Sequence, residues 1–369
     1  MIRAVLVDDE PPARVRMRQL LEAAGGVTVV GEAGNASDAL LLIRDSRPDL
    51  VFLDIEMPEV RGTALAASLP EPRPFIVFAT AFDNYGLDAI AVEATDYLLK
   101  PVSRAKLSAP LDRVRARLTK LSVERDVVAA TRVQAQMWPG QLPRIPGFDC
   151  AAASLPARGV GGDFYDVFPI DATWGLLLGD ASGKGVAAGL VASAVQARVN
   201  TAARLAHLDP EALTAAVDRD VYATTDGARY ATAIYGVLDA ATSRLTLVNA
   251  GHPSAFVLPP PPSGANRLLT ATGPALGLIE AGTFGSHSLT LTPGSLFVAY
   301  TDGVHEARNA ADDDFGEARL IQLVADHRDR SASEICAAIL NAVHEHRGAL
   351  QDQDDVTAMV VKSVTEVSS

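Results

Sequence analysis

Over the first hundred residues, short apolar runs that close on polar residues alternate with segments of helical period. Ile2–Val7 closes on Asp8, Asp9 and Glu10, Leu50–Leu53 on Asp54, Phe75–Ala79 on Thr80, and Tyr97–Leu99 on Lys100-Pro101, with Val27–Gly31 as a further run. Short β-branched and apolar runs read as buried strands. Between them, Val15, Leu20 and Leu21 after Pro11-Pro12, and then Ala36–Arg44, carry a helical pattern. Strand–helix alternation predicts an α/β doubly wound sheet of five parallel strands. Functional groups of such sheets lie beyond the carboxyl ends of the strands, where Asp8, Asp9, Asp54, Thr80 and Lys100 all fall.

The pattern changes after Ser103. Leu107, Leu111, Val114, Leu118 and Leu121 recur at alternating spacings, and Val128 continues the seam past an interruption at Arg125. That is a heptad. It predicts a helix over Pro110–Met137, about 40 Å long at about 1.5 Å per residue, with Pro110 at its start or at a kink. Two readings stand: a parallel dimeric coiled coil, which we prefer, or the last helix of the first domain followed by a solvated linker.

Beyond Pro139, Pro143 and Pro146 the order is different. Strands are expected at Phe148–Ser154, Trp174–Leu178, Ala231–Leu238, Arg244–Asn249, Ala255–Leu258, Ser295–Ala299 and Val356–Val361. Helices are expected at Val186–Leu205, Pro210–Tyr222, Glu317–His327 and Ser333–Glu345. Blocks of strands and blocks of helices, without strict alternation, predict α+β. Three of the apolar runs present aspartate at one end: Asp180, Asp302, and Asp354-Asp355. Asp163 and Asp166 lie in the glycine-flanked stretch before them. Asp-Gly beside a strand is commonly a turn, but several carboxylates brought together need a hard cation with oxygen ligands.

Composition narrows the classes. The 369 residues allow two or three domains, and 48% hydrophobic content supports real cores. A net charge of −13 argues against a nucleic-acid surface, although Arg104, Lys106, Arg113, Arg115, Arg117, Lys120, Arg125 and Arg132 make one basic stretch. Two cysteines, Cys150 and Cys336, make no disulfide framework. With no signal-peptide or membrane-span pattern, a soluble cytoplasmic protein is expected, with neither membrane nor nucleic acid as partner.

In the first domain, three carboxylates would repel one another unless Mg²⁺ joined them. Asp54 could then accept a phosphoryl group, with Lys100 and Thr80 on its oxygens. A nucleotide-binding sheet would need a glycine-rich phosphate loop that is absent. The segment, with DDEPPARVRMRQLL and FATAFDNYGLDAIAVEATDYLLKP, resembles response-regulator receivers, particularly those usually joined to a DNA-binding domain. The resemblance covers residues 1–118. It implies phosphorylation of Asp54 by a sensor histidine kinase, Mg²⁺ held by Asp8, Asp9 and the Glu56 carbonyl, and Thr80 with Tyr97 as a switch pair.

Six motifs follow in order: GGDFYD, DASGKG, NAGHP, TGPALGL, YTDGV and DDVT. Together they resemble the PPM-type (type 2C-like) serine/threonine phosphatases of the sporulation and stress sigma-factor branch, over residues 139–364, with 103–138 as the helical linker. The resemblance implies two antiparallel sheets flanked by helices, and two Mn²⁺ or Mg²⁺ ions held by Asp163, Asp180, the Ala181 carbonyl, Asp302 and either Asp354 or Asp355. It also implies in-line attack of water on phosphorus, a homodimer whose helices after the Asp180 loop adjust the metal site, and a phosphoserine STAS-domain anti-sigma-factor antagonist as substrate. Arg158 is a candidate to clamp the substrate phosphate. Ser182 and Lys184 read as a tight turn, because the full phosphate-loop pattern is missing; His252 reads as a structural turn histidine, and His305 has no assigned role. The rival reading is a phosphatase-like scaffold without activity that binds a sigma factor or adaptor; retention of the four motif aspartates argues for the enzyme.

Overall fold

The computed structural model describes residues 1–81, 94–157, 159–206, 208–262, 265–350 and 354–364. The chain divides into two compact units, Met1–Arg125 and Asp126–Ser369.

The first unit runs β1 (Ile2–Val7), α1 (Pro11–Ala24), β2 (Val27–Ala33), α2 (Ala36–Ser46), β3 (Leu50–Leu53), α3 (Gly62–Ser68), β4 (Phe75–Thr80) and β5 (Asp96–Leu99). The five strands are parallel in the order β2-β1-β3-β4-β5. Both faces are covered, as parallel sheets require: Val5, Val7, Leu53 and Phe78 pack into one core, Leu6, Phe52 and Val77 into the other. Pro11 opens α1, where its missing N–H costs nothing. Asn35 caps α2 by accepting from the Asp38 N–H at 2.8 Å. The sequence reading overlooked α3, a short segment of small residues. A Cβ on Gly62 would lie 1.9 Å from the Asp54 carbonyl oxygen, so only glycine lets α3 begin against the end of β3.

The linker helix, α4 (Arg104–Met137), begins earlier than the expected Pro110. Ser103 Oγ accepts from the Lys106 N–H at 3.4 Å at its start, and Pro110 lies inside the helix. Proline removes one backbone bond there, while its neighbours Leu107, Leu111 and Val114 are completely buried against Leu21 and Phe52. The first half of the heptad seam is thus spent on the first unit's own core. Leu121 and Val128 stay 42% and 52% exposed.

The second unit continues through β6 (Phe148–Leu155), β7 (Asp163–Ile170), β8 (Thr173–Ala181), α5 (Val186–Leu205), α6 (Pro210–Thr225), β9 (Ala231–Asp239), β10 (Arg244–Ala250) and β11 (Ala255–Leu258). It then runs β12 (Arg267–Leu269), β13 (His287–Thr290), β14 (Leu296–Tyr300), α7 (Asp302–His305), α8 (Glu317–Asp326), α9 (Ala332–Arg347) and β15 (Val356–Ser363). Two antiparallel sheets form, β13-β10-β9-β8-β7 and β12-β11-β14-β15-β6. Their facing sides share a core of Tyr165, Leu176, Leu178, Leu247, Phe297 and Met359. Helices α5 and α6 cover the outer face of the first sheet, and α8 and α9 that of the second. The short strands β12 and β13 went unread because each sits at a sheet edge, half exposed, with too few residues to show a period. Among the described residues no helix is long and apolar enough to cross a membrane.

Candidate metal centres

In the first unit the strand ends gather what the sequence singled out. Lys100 Nζ lies 2.6 Å from Asp54 Oδ2 and 2.7 Å from Asp8 Oδ2. Asp8, Asp9 and Asp54 each bring an oxygen within 4.8 Å of the others. Burial pushes the Asp54 carboxyl up; Lys100 opposes this by hydrogen bond and charge, while Asp8 adds to it. Asp54 Oδ1 accepts from the Glu56 N–H at 3.2 Å. Thr80 is fully buried at the end of β4, its carbonyl accepting from the Lys100 N–H at 2.7 Å. Tyr97 stands half-buried in β5, opposite Phe78. Three carboxylates against one ammonium, all oxygen donors, suit a small hard divalent ion.

In the second unit the aspartates meet at one end of the sandwich. Asp163 opens β7 and pairs in register with Asp180 near the end of β8. Asp302 follows β14, and Asp354-Asp355 precede β15, the antiparallel neighbour of β14. Asp163 is only 2% exposed, and its Oδ2 accepts from Thr301 Oγ1 at 2.8 Å and Thr357 Oγ1 at 2.5 Å. Burial, and then the charge of Asp180, holds the Asp163 carboxyl far above the usual carboxylate range. Burial followed by Asp302, Asp354 and Asp355 pushes Asp180 up to about 7. Asp302 is raised by burial and then by Asp354. Such mutual repulsion in partly buried carboxylates is what a bound cation relieves.

A second observation fits a metal there. A Cβ on Gly162 would fall 2.8 Å from the Ala181 carbonyl oxygen and 2.9 Å from Asp180 Oδ1. Glycine therefore keeps open the cradle where that carbonyl and carboxylate stand together. Among the described residues only Asp8, Asp9 and Asp54 draw three ligand atoms within 4.8 Å. The wider spread of the second cluster suits two ions, which stand about 3.5–4 Å apart in such sites.

The structure separates the adjacent aspartates. Asp355 is buried, with Oδ1 accepting from the Ala157 N–H and Oδ2 from the Gly162 N–H, both at 2.7 Å. Its oxygens hold the loop before Asp163. Asp354 is half exposed, its Oδ1 accepting from the Asp355 N–H at 3.0 Å and its Oδ2 lying 3.3 Å from Lys184 Nζ. Ser182 and Lys184, read from the sequence as a tight turn, lie in the bend before α5; Lys184 reaches the cluster's rim, and Ser182 Oγ accepts from the Tyr230 N–H at 3.0 Å. His252 is structural: its ring bridges Thr232 Oγ1 at 2.8 Å and the Tyr300 carbonyl at 3.1 Å, and burial drops it to about 3. His305 packs edge-on against Tyr300. Arg158 lies outside the described residues.

Sequence reasoning missed four contributors. Thr301 and Thr357 adjoin motif aspartates, and strand alternation could have flagged them. Gln134, near the end of α4, is buried and donates Nε2 to the Gly161 carbonyl at 2.7 Å while its Oε1 accepts from the Gly161 N–H at 3.0 Å. Arg347 is buried behind Asp354. The last two lie outside every motif, and no local pattern marks them.

Residues 170–364 match the family described as Stage II sporulation protein E (SpoIIE), and residues 4–112 match the response regulator receiver domain. Transcriptional regulatory protein BtsR of Salmonella typhi is 44% identical over 124 residues, 33% of this chain and 52% of that protein. The likeness is confined to the receiver, and the chain spans about half the length of the curated relatives it matches. Among solved structures, the SiaA-PP2C domain of Pseudomonas aeruginosa superposes with a TM-score of 0.57 at 20% identity, covering 66% of this chain and 98% of that one. The RsbU and RsbW domains of Rv1364c from Mycobacterium tuberculosis give 0.53 at 27% identity, covering 61% and 63%.

Proposed function

From the premise that this chain belongs to the SpoIIE family over residues 170–364 and carries a receiver domain over 4–112, we propose that it is a response regulator whose output is metal-dependent dephosphorylation of protein phosphoserine or phosphothreonine, governed by phosphorylation of Asp54. The observation that carries this reading is the meeting of Asp163, Asp180, Asp302 and Asp354 at one end of the sandwich, with Asp180 pushed up to about 7 by burial and its acidic neighbours.

In this reading Asp163, Asp180, the Ala181 carbonyl, Asp302 and Asp354 hold two Mn²⁺ or Mg²⁺ ions. When bound, such a pair lowers the pKa of water and offsets charge on a transferring phosphoryl group. Thr301 and Thr357 fix the Asp163 carboxylate in one orientation, and Asp355 fixes the backbone that carries it. No side chain needs to act as nucleophile; Cys150 and Cys336 are pushed up to about 12 by burial and stay thiols. In the receiver, Asp54 would take the phosphoryl group from a sensor histidine kinase, Lys100 and Thr80 would meet its oxygens, and Asp8, Asp9 and the Glu56 carbonyl would hold Mg²⁺. The RsbU-containing neighbour and the SpoIIE family support a phosphorylated STAS-domain protein as substrate.

The test is phosphate release from a phosphoserine STAS protein in Mn²⁺, by the unmodified chain, by the chain loaded with a phosphoryl mimic at Asp54, and by Asp180→Asn. Release that requires Mn²⁺ and Asp180 and changes on loading is expected. No release in either receiver state, with an aryl phosphate also untouched, would replace the enzyme with a binding scaffold.

A further inference from the structure

Asp302 and Asp354 reach the cluster on chain segments more than fifty residues apart, and their backbones touch. A Cβ on Gly303 would stand 1.8 Å from the Asp355 carbonyl oxygen. Contact this close means a small slip of either segment moves its carboxylate. From the protein side one group spans both. Arg347, the last residue of α9, is 3% exposed; its Nη2 donates to the Gly303 carbonyl and its Nη1 to the Asp354 carbonyl, each at 2.9 Å. Its Nε finds no acceptor among the described residues. A buried guanidinium is costly unless nearby charge offsets it; here burial lowers the Arg347 pKa, and the charges of Asp354, Asp355 and Asp163 oppose that shift in part. Its flat fork reaches two carbonyls at once, which a lysine ammonium does not do with the same geometry. Both residues it grips line an open cleft of about 320 Å³ together with Asp302 and Glu306.

We propose that Arg347 is a positioning residue that holds the Asp302 and Asp354 segments at the spacing a shared cation needs. The inference rests on the metal-dependent phosphatase reading and names a determinant of its metal affinity.

The test is calorimetric titration of Mn²⁺ into the metal-free full chain, in an Asp8→Asn background that silences the receiver cluster, beside thermal unfolding of the same samples. Arg347→Met should weaken Mn²⁺ binding about 10–100-fold, the range for groups that orient metal ligands. Arg347→Lys should fall between, since it keeps the charge and loses the fork; it also decides the matter where Arg347→Met does not fold. Val343→Ala, one turn earlier in α9 and fully packed in the core, should lower Tm with Mn²⁺ affinity unchanged. Arg347 variants that bind Mn²⁺ as the parent does, or a Val343→Ala loss equal to theirs, would overturn the proposal. A parent that titrates no differently from Asp302→Asn would instead bring down the metal reading itself.

Discussion

Two neighbouring aspartates, Asp354 and Asp355, have the same chemistry and opposite employment. Asp355 has both oxygens committed to amides of the loop before Asp163, while Asp354 accepts from the adjacent Asp355 N–H at 3.0 Å and pairs with Lys184, half exposed. Asp355→Asn should therefore destabilise the metal-free protein by about 2–4 kcal/mol, as lost amide–carboxylate bonds do, seen as a fall in Tm. Asp354→Asn should leave Tm nearly unchanged and weaken Mn²⁺ binding; equal effects of the two on both readouts would contradict this division. Asp180 makes a pH prediction. Its folded-state value of about 7 lies above the ordinary aspartate value of 3.8, so the folded metal-free protein binds more protons between those limits and loses stability as pH rises through them. His252, held neutral at about 3 against 6.5, contributes the opposite slope, which is why the difference between the parent and Asp180→Asn is the quantity to follow. That difference in Tm should change by on the order of 5 °C from pH 4 to 7 and vanish with Mn²⁺ present. A pH-independent difference would remove Asp180 from the repelling cluster.

At the scale of the element, α4 shows how one period serves two purposes. Its apolar spacing was legible, but Leu107, Leu111 and Val114 face the first unit's core, and Leu118 is partly covered there too. Only Leu121 and Val128 remain exposed as seam positions. If the chain forms a parallel dimer through them, the double variant Leu121→Asp with Val128→Asp should sediment as a monomer at micromolar concentration where the parent is a dimer. A parent that is monomeric whether or not its receiver is loaded would assign α4 wholly to intrachain packing. The helix expected at Ser333–Glu345 in fact opens one residue earlier, at Ala332, where the Ser331–Glu334 capping box marks its start. The helix start at Ser103 was read poorly, because Pro110 is the stronger local signal and burial of its neighbours overrides it.

Across the whole molecule, the order of motifs was enough to recognise two domains and the family of each. Asp54, Asp163, Asp180 and Asp302 were all named from strand ends and flanking glycines, and every one lies in an acidic cluster of the structure. The hydrogen bonds that hold the second unit's cluster were not legible in that way. Gln134 belongs to a helix that starts in the first unit, yet its amide pairs with Gly161, two residues before Asp163. Arg347 closes a helix outside every motif, seven residues before Asp354, and grips two of the carbonyls beside the aspartates. By itself the sequence determined the parallel sheet, the α+β second unit and the aspartates, because strand periodicity and Asp-Gly turns are local and survive in one dimension. Only the tertiary structure decided which of Asp354 and Asp355 has both oxygens bound to distant backbone amides, where the heptad is spent, and what holds the carboxylates in register. Those outcomes depend on which backbone amides and carbonyls come within hydrogen-bond reach across separations of tens to hundreds of residues, and no local spacing encodes that.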